Sequence, residues 1–99
     1  MNVQQLEIGG KKATGYVISL GNVNIVMLKT EKGMLACRAV DVAVLDKFAY
    51  PAARVRFPDG RPIAAVADIL RAEVCEVNEH AGKLGVAVGI KGGEALQRL

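Results

Sequence analysis

Turn-forming residues punctuate the first third of this 99-residue chain at the spacing of successive short strands, and that punctuation most constrains the fold. Gly9–Gly10, Gly21–Asn22 and Glu31-Lys32-Gly33 separate four segments, residues 3–8, 13–20, 23–30 and 34–38. The second and third segments are rich in β-branched residues. Gly-Asn suits a two-residue hairpin loop, because both residues tolerate positive φ. Residues 23–28 are apolar on nearly both faces, as in a central strand. An antiparallel meander of four strands follows.

At Asp41 the period changes. Val42, Val44, Leu45, Phe48 and Ala49 share one side of a short helix, with Asp41 typed as its N-cap. Tyr50-Pro51 stops it, since a residue before Pro avoids the helical region. Residues 52–57 read as a fifth strand, and Pro58-Asp59-Gly60 as a turn that either closes a hairpin or, the preferred reading, leads into a helix over 62–70. Val74, Val77, Ala81 and Leu84 recur at helical spacing and predict a helix over 73–84, stopped by Gly85. Residues 86–90 read as a last strand, and Gly92–Gly93 opens a terminal helical turn, 94–99. The expected architecture is a single domain, 1–99. It is an α+β two-layer sandwich with a mainly antiparallel sheet and helices packed on one face.

Composition narrows the function classes. Hydrophobic residues make up 52% of the chain and aromatics 4%, with no Trp, so the core must be built from aliphatic side chains. So apolar a chain of this length has little interior to hide in, which favours a homo-oligomer. Every apolar run is broken well short of the ~20 residues that a spanning helix needs, so no membrane role is expected. Thirteen Lys and Arg against ten Asp and Glu give a net charge of +3, scattered without a basic run or aromatic ladder. Nucleic acid is therefore an unlikely partner. Two distant cysteines and one His exclude a conventional Cys/His zinc site, and no cofactor motif is present. With no signal pattern at the N-terminus and no disulfide framework, a cytoplasmic location with reduced thiols is expected.

Two stretches carry possible chemistry. Cys37 ends the fourth strand four residues before Asp41. A thiol near a helix N-terminus feels the positive end of the helix dipole, which makes thiolate chemistry possible. Cys37 is the one candidate nucleophile, and Cys37 with Asp41 also reads as a packing residue beside an N-cap. The second stretch is Gly89-Ile90-Lys91-Gly92-Gly93, a Gly-rich link into a helix that could receive an anion, with Lys91 adding charge. It matches neither phosphate-loop fingerprint, and its glycines also suit a sharp turn and close packing. Glu76 with His80 and Glu79 with Lys83 read as i,i+4 pairs on a solvated helix surface. Cys75 reads as a packing residue, and Arg54 and Arg56 share one strand face.

Cys37-Arg38-Ala39-Val40-Asp41 and the stretch Leu84–Leu96 together resemble the YunC-like family of small domains of unknown function. That family ends its fourth strand with Cys-Gly-x-Leu-Asp and closes with Leu-Gly-x-x-Val-Gly-Met-x-Gly-x-Glu-Ala-Leu. Arg38 stands where the family pattern has Gly, and either fills that space or offers it a charge. The loop 58–62 is longer than usual for the family. The resemblance implies an α+β two-layer fold and no particular activity. The leading expectation is a homo-oligomeric module binding a small anionic ligand through Cys37, Arg38, Asp41, Gly89, Lys91, Gly92 and Gly93. The alternatives are a thiol-dependent enzyme using Cys37, or a protein-interaction module without a ligand.

Overall fold

The computed structural model describes the whole chain, Met1–Leu99. In chain order the elements are β1 (Asn2–Ile8), β2 (Lys11–Ser19), β3 (Asn24–Lys29), β4 (Met34–Ala36), α1 (Val42–Asp46), β5 (Ala52–Arg56), α2 (Val66–Arg71), β6 (Glu73–Val77), α3 (Glu79–Lys83) and α4 (Gly92–Arg98). The strands lie in sequence order across one six-stranded sheet. The first four form the expected antiparallel meander. Gly9, Gly10 and Gly21 take positive φ at its first two turns, where only glycine is unstrained. β5 then pairs with β4 in parallel and with β6 antiparallel. A parallel neighbour cannot be reached by a hairpin, so residues 37–51 cross over the sheet and carry α1.

Side chains alternate between the faces of each strand. On one face Leu28, Leu35, Ala53, Val55 and Val74 pack with Val66 and Ile69 of α2 and Leu96 of α4. Met34, Ala36 and Ala52 instead join Val42 of α1 in a second, smaller cluster. Met34 and Ala36 flank Leu35 in β4, so the clusters occupy opposite faces. The α+β class and the mainly antiparallel sheet are as expected; the helices, expected on one face, are divided, with α2 and α4 on the main face and α1 seated on the other at the β4–β5 pair. Glycines allow the closest contacts. A Cβ at Gly15 would stand 2.6 Å from Val66, and one at Gly92 would stand 1.8 Å from the carbonyl oxygen of Ile69.

Three elements differ from the sequence reading. Residues 73–84 are not one helix but β6, a break at Asn78, and α3. The register between β5 and β6 shifts at Arg54/Val55: Val55 faces Val74, while Arg54 faces Glu76. Cys75 is thus an extra bulge residue, so Val74 and Val77 turn to the same face although three apart, imitating helical spacing. Glu76 and His80 accordingly do not pair as helix neighbours. Residues 86–90 form no strand: they cross β6 through a few backbone bonds, Gly89 N–H to Val74 O (2.9 Å) and Val74 N–H to Ile90 O (2.9 Å). Residues 62–65 stay outside the helix and α2 starts at Val66, where Asp68 turns back to accept the N–H groups of Ala64 (3.0 Å) and Ala65 (3.1 Å).

Asn78 ties the layers together. Its carbonyl oxygen accepts the N–H of Ala52 (3.1 Å) and of Ala81 (2.9 Å), capping α3. Its amide donates to the carbonyls of Val42 (3.0 Å) and Tyr50 (2.9 Å). All four side-chain hydrogen bonds are satisfied at a residue only 7% exposed. Asn78→Ala strands several buried backbone groups at once, and chemical denaturation is expected to register a loss of about 3 kcal/mol with the m-value unchanged.

Candidate functional site

The parallel strands β4 and β5 end at the same side of the sheet, but not at the same level. β4 makes its last register pair at Ala36 with Arg54. The next residue, Cys37, still donates its N–H to Val26 O (3.0 Å), and the chain then turns away, with Val40 N–H on Cys37 O (3.3 Å). Asp41 follows as N-cap of α1, accepting from Ala43 (3.0 Å) and Val44 (3.3 Å). β5 runs on past that departure through Val55 and Arg56, and the chain continues to Phe57. Two clefts open beside it at the carboxyl ends of the parallel pair, the side of a parallel sheet where ligand crevices form.

The first cleft, about 330 Å³, lies between Arg38, Arg54, Arg56, Cys75, Glu76 and Gly89. The second, about 290 Å³, is walled by Val55, Phe57, Pro62 and Ile63, with Cys37 at its base and Asn24 at its edge. Arg38 and Arg56 border both. A third, shallower cleft of about 470 Å³ continues past Arg61 to Arg71, Glu73 and Lys91.

Most of the cations here are already paired. Arg54 forms an ion pair with Glu76 and donates to the carbonyl of Arg38 (2.9 Å), while its Nε is buried without a partner. Arg61 pairs with Asp59 (2.9 Å), and its guanidinium carbon sits 4.2 Å from the centre of the Phe57 ring. Arg71 pairs with Asp68 (3.3 Å) and Lys91 with Glu73 (3.5 Å). The backbone N–H of Arg61 holds the Asp59 carboxyl below its ordinary range, and that of Ala64 does the same for Asp68. Arg38 and Arg56 have no carboxylate within 4 Å.

The description of a domain of unknown function, DUF1805, fits residues 36–99. The chain belongs to the DUF1805 family. The match starts at the last residue of β4, so of the cleft walls only Val23 and Asn24 precede it. A crystallised protein of unknown function from Thermoplasma acidophilum is similar over its whole fold, with a TM-score of 0.87 at 26% identity, covering 99% of this chain and 91% of that one. No curated protein matches the chain.

In this DUF1805 protein the residues singled out from sequence fall in different places. Cys37 and Arg38 line the second cleft, Arg38 and Gly89 the first, and Lys91 the third. Asp41, Gly92 and Gly93 border none of the three. Asp41 is engaged as a helix cap, and the Gly92 N–H donates to Ala72 O (2.8 Å) where α4 touches the end of α2. Cys37 is 6% exposed, and its sulfur accepts from the Val26 N–H (3.5 Å). Phe57, Ile63, Asn24 and Cys75 enter the clefts without a sequence signal. The Arg54–Arg56 alternation was the visible trace, and both side chains do line one cleft. No helix is long and apolar enough to cross a membrane.

A second polar cluster lies away from the clefts. His80 Nδ1 stands 2.6 Å from Asp46 Oδ1, and the His80 N–H donates to the same oxygen (3.1 Å). Asp46, at the end of α1, thus fastens α1 to the start of α3. The His80 side chain, and after it the His80 N–H, hold the Asp46 carboxyl below its ordinary range. A depressed carboxyl contributes stability above its unfolded value, about 3.9, and loses it as pH falls through the lower folded value. Denaturation of Asp46→Asn should therefore show lower stability than the parent at pH 6, with the gap closing below about pH 4.

Proposed function

We propose that this protein binds a small anion between Arg38 and Arg56. The supporting observation is electrostatic: these two guanidinium groups border a shared pair of clefts and lack carboxylate partners, while their neighbours Arg54, Arg61, Arg71 and Lys91 each have one. A guanidinium presents a planar fork of donors that matches carboxylate or phosphate oxygens in pairs. Two free forks suit a compact anion of one or two charges better than a nucleic acid, which needs a longer run of uncompensated cations. The cleft volumes fall at the low end of small-molecule sites. Cys37 forms part of the wall, and its burial favours a packing role over that of an exposed nucleophile. Within DUF1805, the Cys37–Asp41 and Leu84–Leu96 stretches keep the YunC-like likeness as our reading, in a cytoplasmic setting with both thiols free.

Association of copies is part of the same reading. The face of β1–β3 turned away from the main core carries Val3, Tyr16, Ile18, Ile25 and Met27, set by the registers Val3–Tyr16, Tyr16–Met27 and Ile18–Ile25. Val3 is 51% exposed, and α1 on this face leaves Phe48 75% exposed. An apolar surface of this kind suits a contact with a second copy. Sedimentation equilibrium of the parent should give a multiple of the chain mass and Phe48→Glu a lower one; a monomeric parent would remove the self-association, and an equally associated variant would remove this face as its contact.

Titration calorimetry with inorganic phosphate tests the anion site. Saturable binding is expected, with Arg38→Ala and Arg56→Ala each weakening it about 10- to 100-fold, as the loss of charge-assisted hydrogen bonds implies. Phosphate at 100 times its Kd should add about 2.7 kcal/mol of stability to the parent protein. Absence of binding by the parent, or variants that bind as the parent does, would sink the proposal.

A further inference from the structure

Resting on that anion site, we infer that its ligand is amphipathic: a phosphate or carboxylate head held by Arg38 and Arg56, carrying a compact apolar body that lies in the second cleft. The two clefts differ in character. The first is walled largely by charged side chains. The second sets Val23, Ala39, Val55, Phe57, Pro62 and Ile63 beside Arg38, Arg56 and Arg61. Both meet at Arg38 and Arg56, so an anionic group bound by that pair has an apolar recess directly beside it.

The recess is a cleft that the fold leaves open, not a packing defect. The chain leaves β4 at Cys37 while β5 continues to Arg56, and after Gly60 it passes through Pro62 and Ile63 with no regular secondary structure. Asn24 donates to Ala64 O (2.9 Å) and pins that crossing to the start of β3. At about 290 Å³ the recess exceeds the ~150 Å³ that encloses a benzene ring, so an aromatic ring or short branched acyl group fits with its substituents. Phe57 is itself 6% exposed and stacked under Arg61, so it offers a fixed wall. Burial of apolar ligand surface there adds affinity that the head alone cannot supply.

Calorimetry with phenyl phosphate against inorganic phosphate, and benzoate against acetate, tests this on the intact protein. The ring-bearing member of each pair should bind at least tenfold more tightly. Ala39→Phe fills the recess from an exposed position, and Val23→Asn makes its rim polar without adding charge. Each should abolish the ring's advantage and leave phosphate binding unchanged. A phenyl phosphate no tighter than phosphate overturns the apolar body while leaving the anion site standing. A ring advantage that survives in both variants places the body elsewhere and overturns it too. Failure of every anion to bind removes both readings together.

Discussion

One parallel strand pair sets the remaining geometry. In a sheet otherwise built from antiparallel neighbours, β4 and β5 run side by side in the same direction. A tight turn cannot make that connection, so residues 37–51 must leave the sheet, cross it and return. The crossover buries Val42 against Met34, Ala36 and Ala52 and so covers the second face at this end only. The far end of that face, over β1–β3, is left with half-buried and exposed apolar side chains. The same crossover brings the carboxyl ends of two strands together, where Cys37 departs and Arg56 carries on. The clefts and the uncovered sheet face thus have one cause.

The bulge at Cys75 adjusts this frame. An extra residue in β6 lets Val74 and Val77 both point into the main core, and shifts the pairing so that Glu76 comes opposite Arg54. Without the shift the strand would turn one of those valines to the other face. Arg54 then has a carboxylate at one nitrogen and the Arg38 carbonyl at another. That second bond ties the loop after β4 to the body of β5. Arg54 therefore acts as a positioning residue for Arg38, the group proposed to meet the ligand. Asn78, immediately after β6, fixes the same region from beneath by holding Ala52, Val42 and Tyr50 together.

The meander, the Asp41 cap and the class of fold were legible because local chemistry decides them: turn residues, a switch of period, a capping carboxylate. The segment 73–84 was not, because a bulge is set by the partner strand, and no local pattern separates Val74/Val77 across a bulge from the same residues on a helix. Asn78 was the one local sign of a break, being a better N-cap than a mid-helix residue. Likewise Gly92 reads equally as a flexible ligand loop or a close approach, and only the position of Ile69 decides for contact. Arg38 was identified through its departure from a family pattern, whereas its companion Arg56 needed the strand order. Phe57 and Ile63 look like ordinary core residues in sequence, since being core and walling a cleft demand the same side chains.

The charge pattern at the clefts also limits how a ligand can be chosen. Exposed charges are screened beyond about 8 Å at physiological ionic strength, so the net charge of +3 exerts little pull at a distance. In the proposed site Arg38 and Arg56 would then act by contact. Both border the same clefts, so the proposed anion would touch two like charges at once. An anion that reaches only one gains a single exposed contact, worth little in water. On the proposed reading, discrimination depends on the fit of head group to both guanidinium planes at once. Arg54, which holds the Arg38 backbone, and the parallel register that sets how far β5 extends beyond β4 would govern that fit.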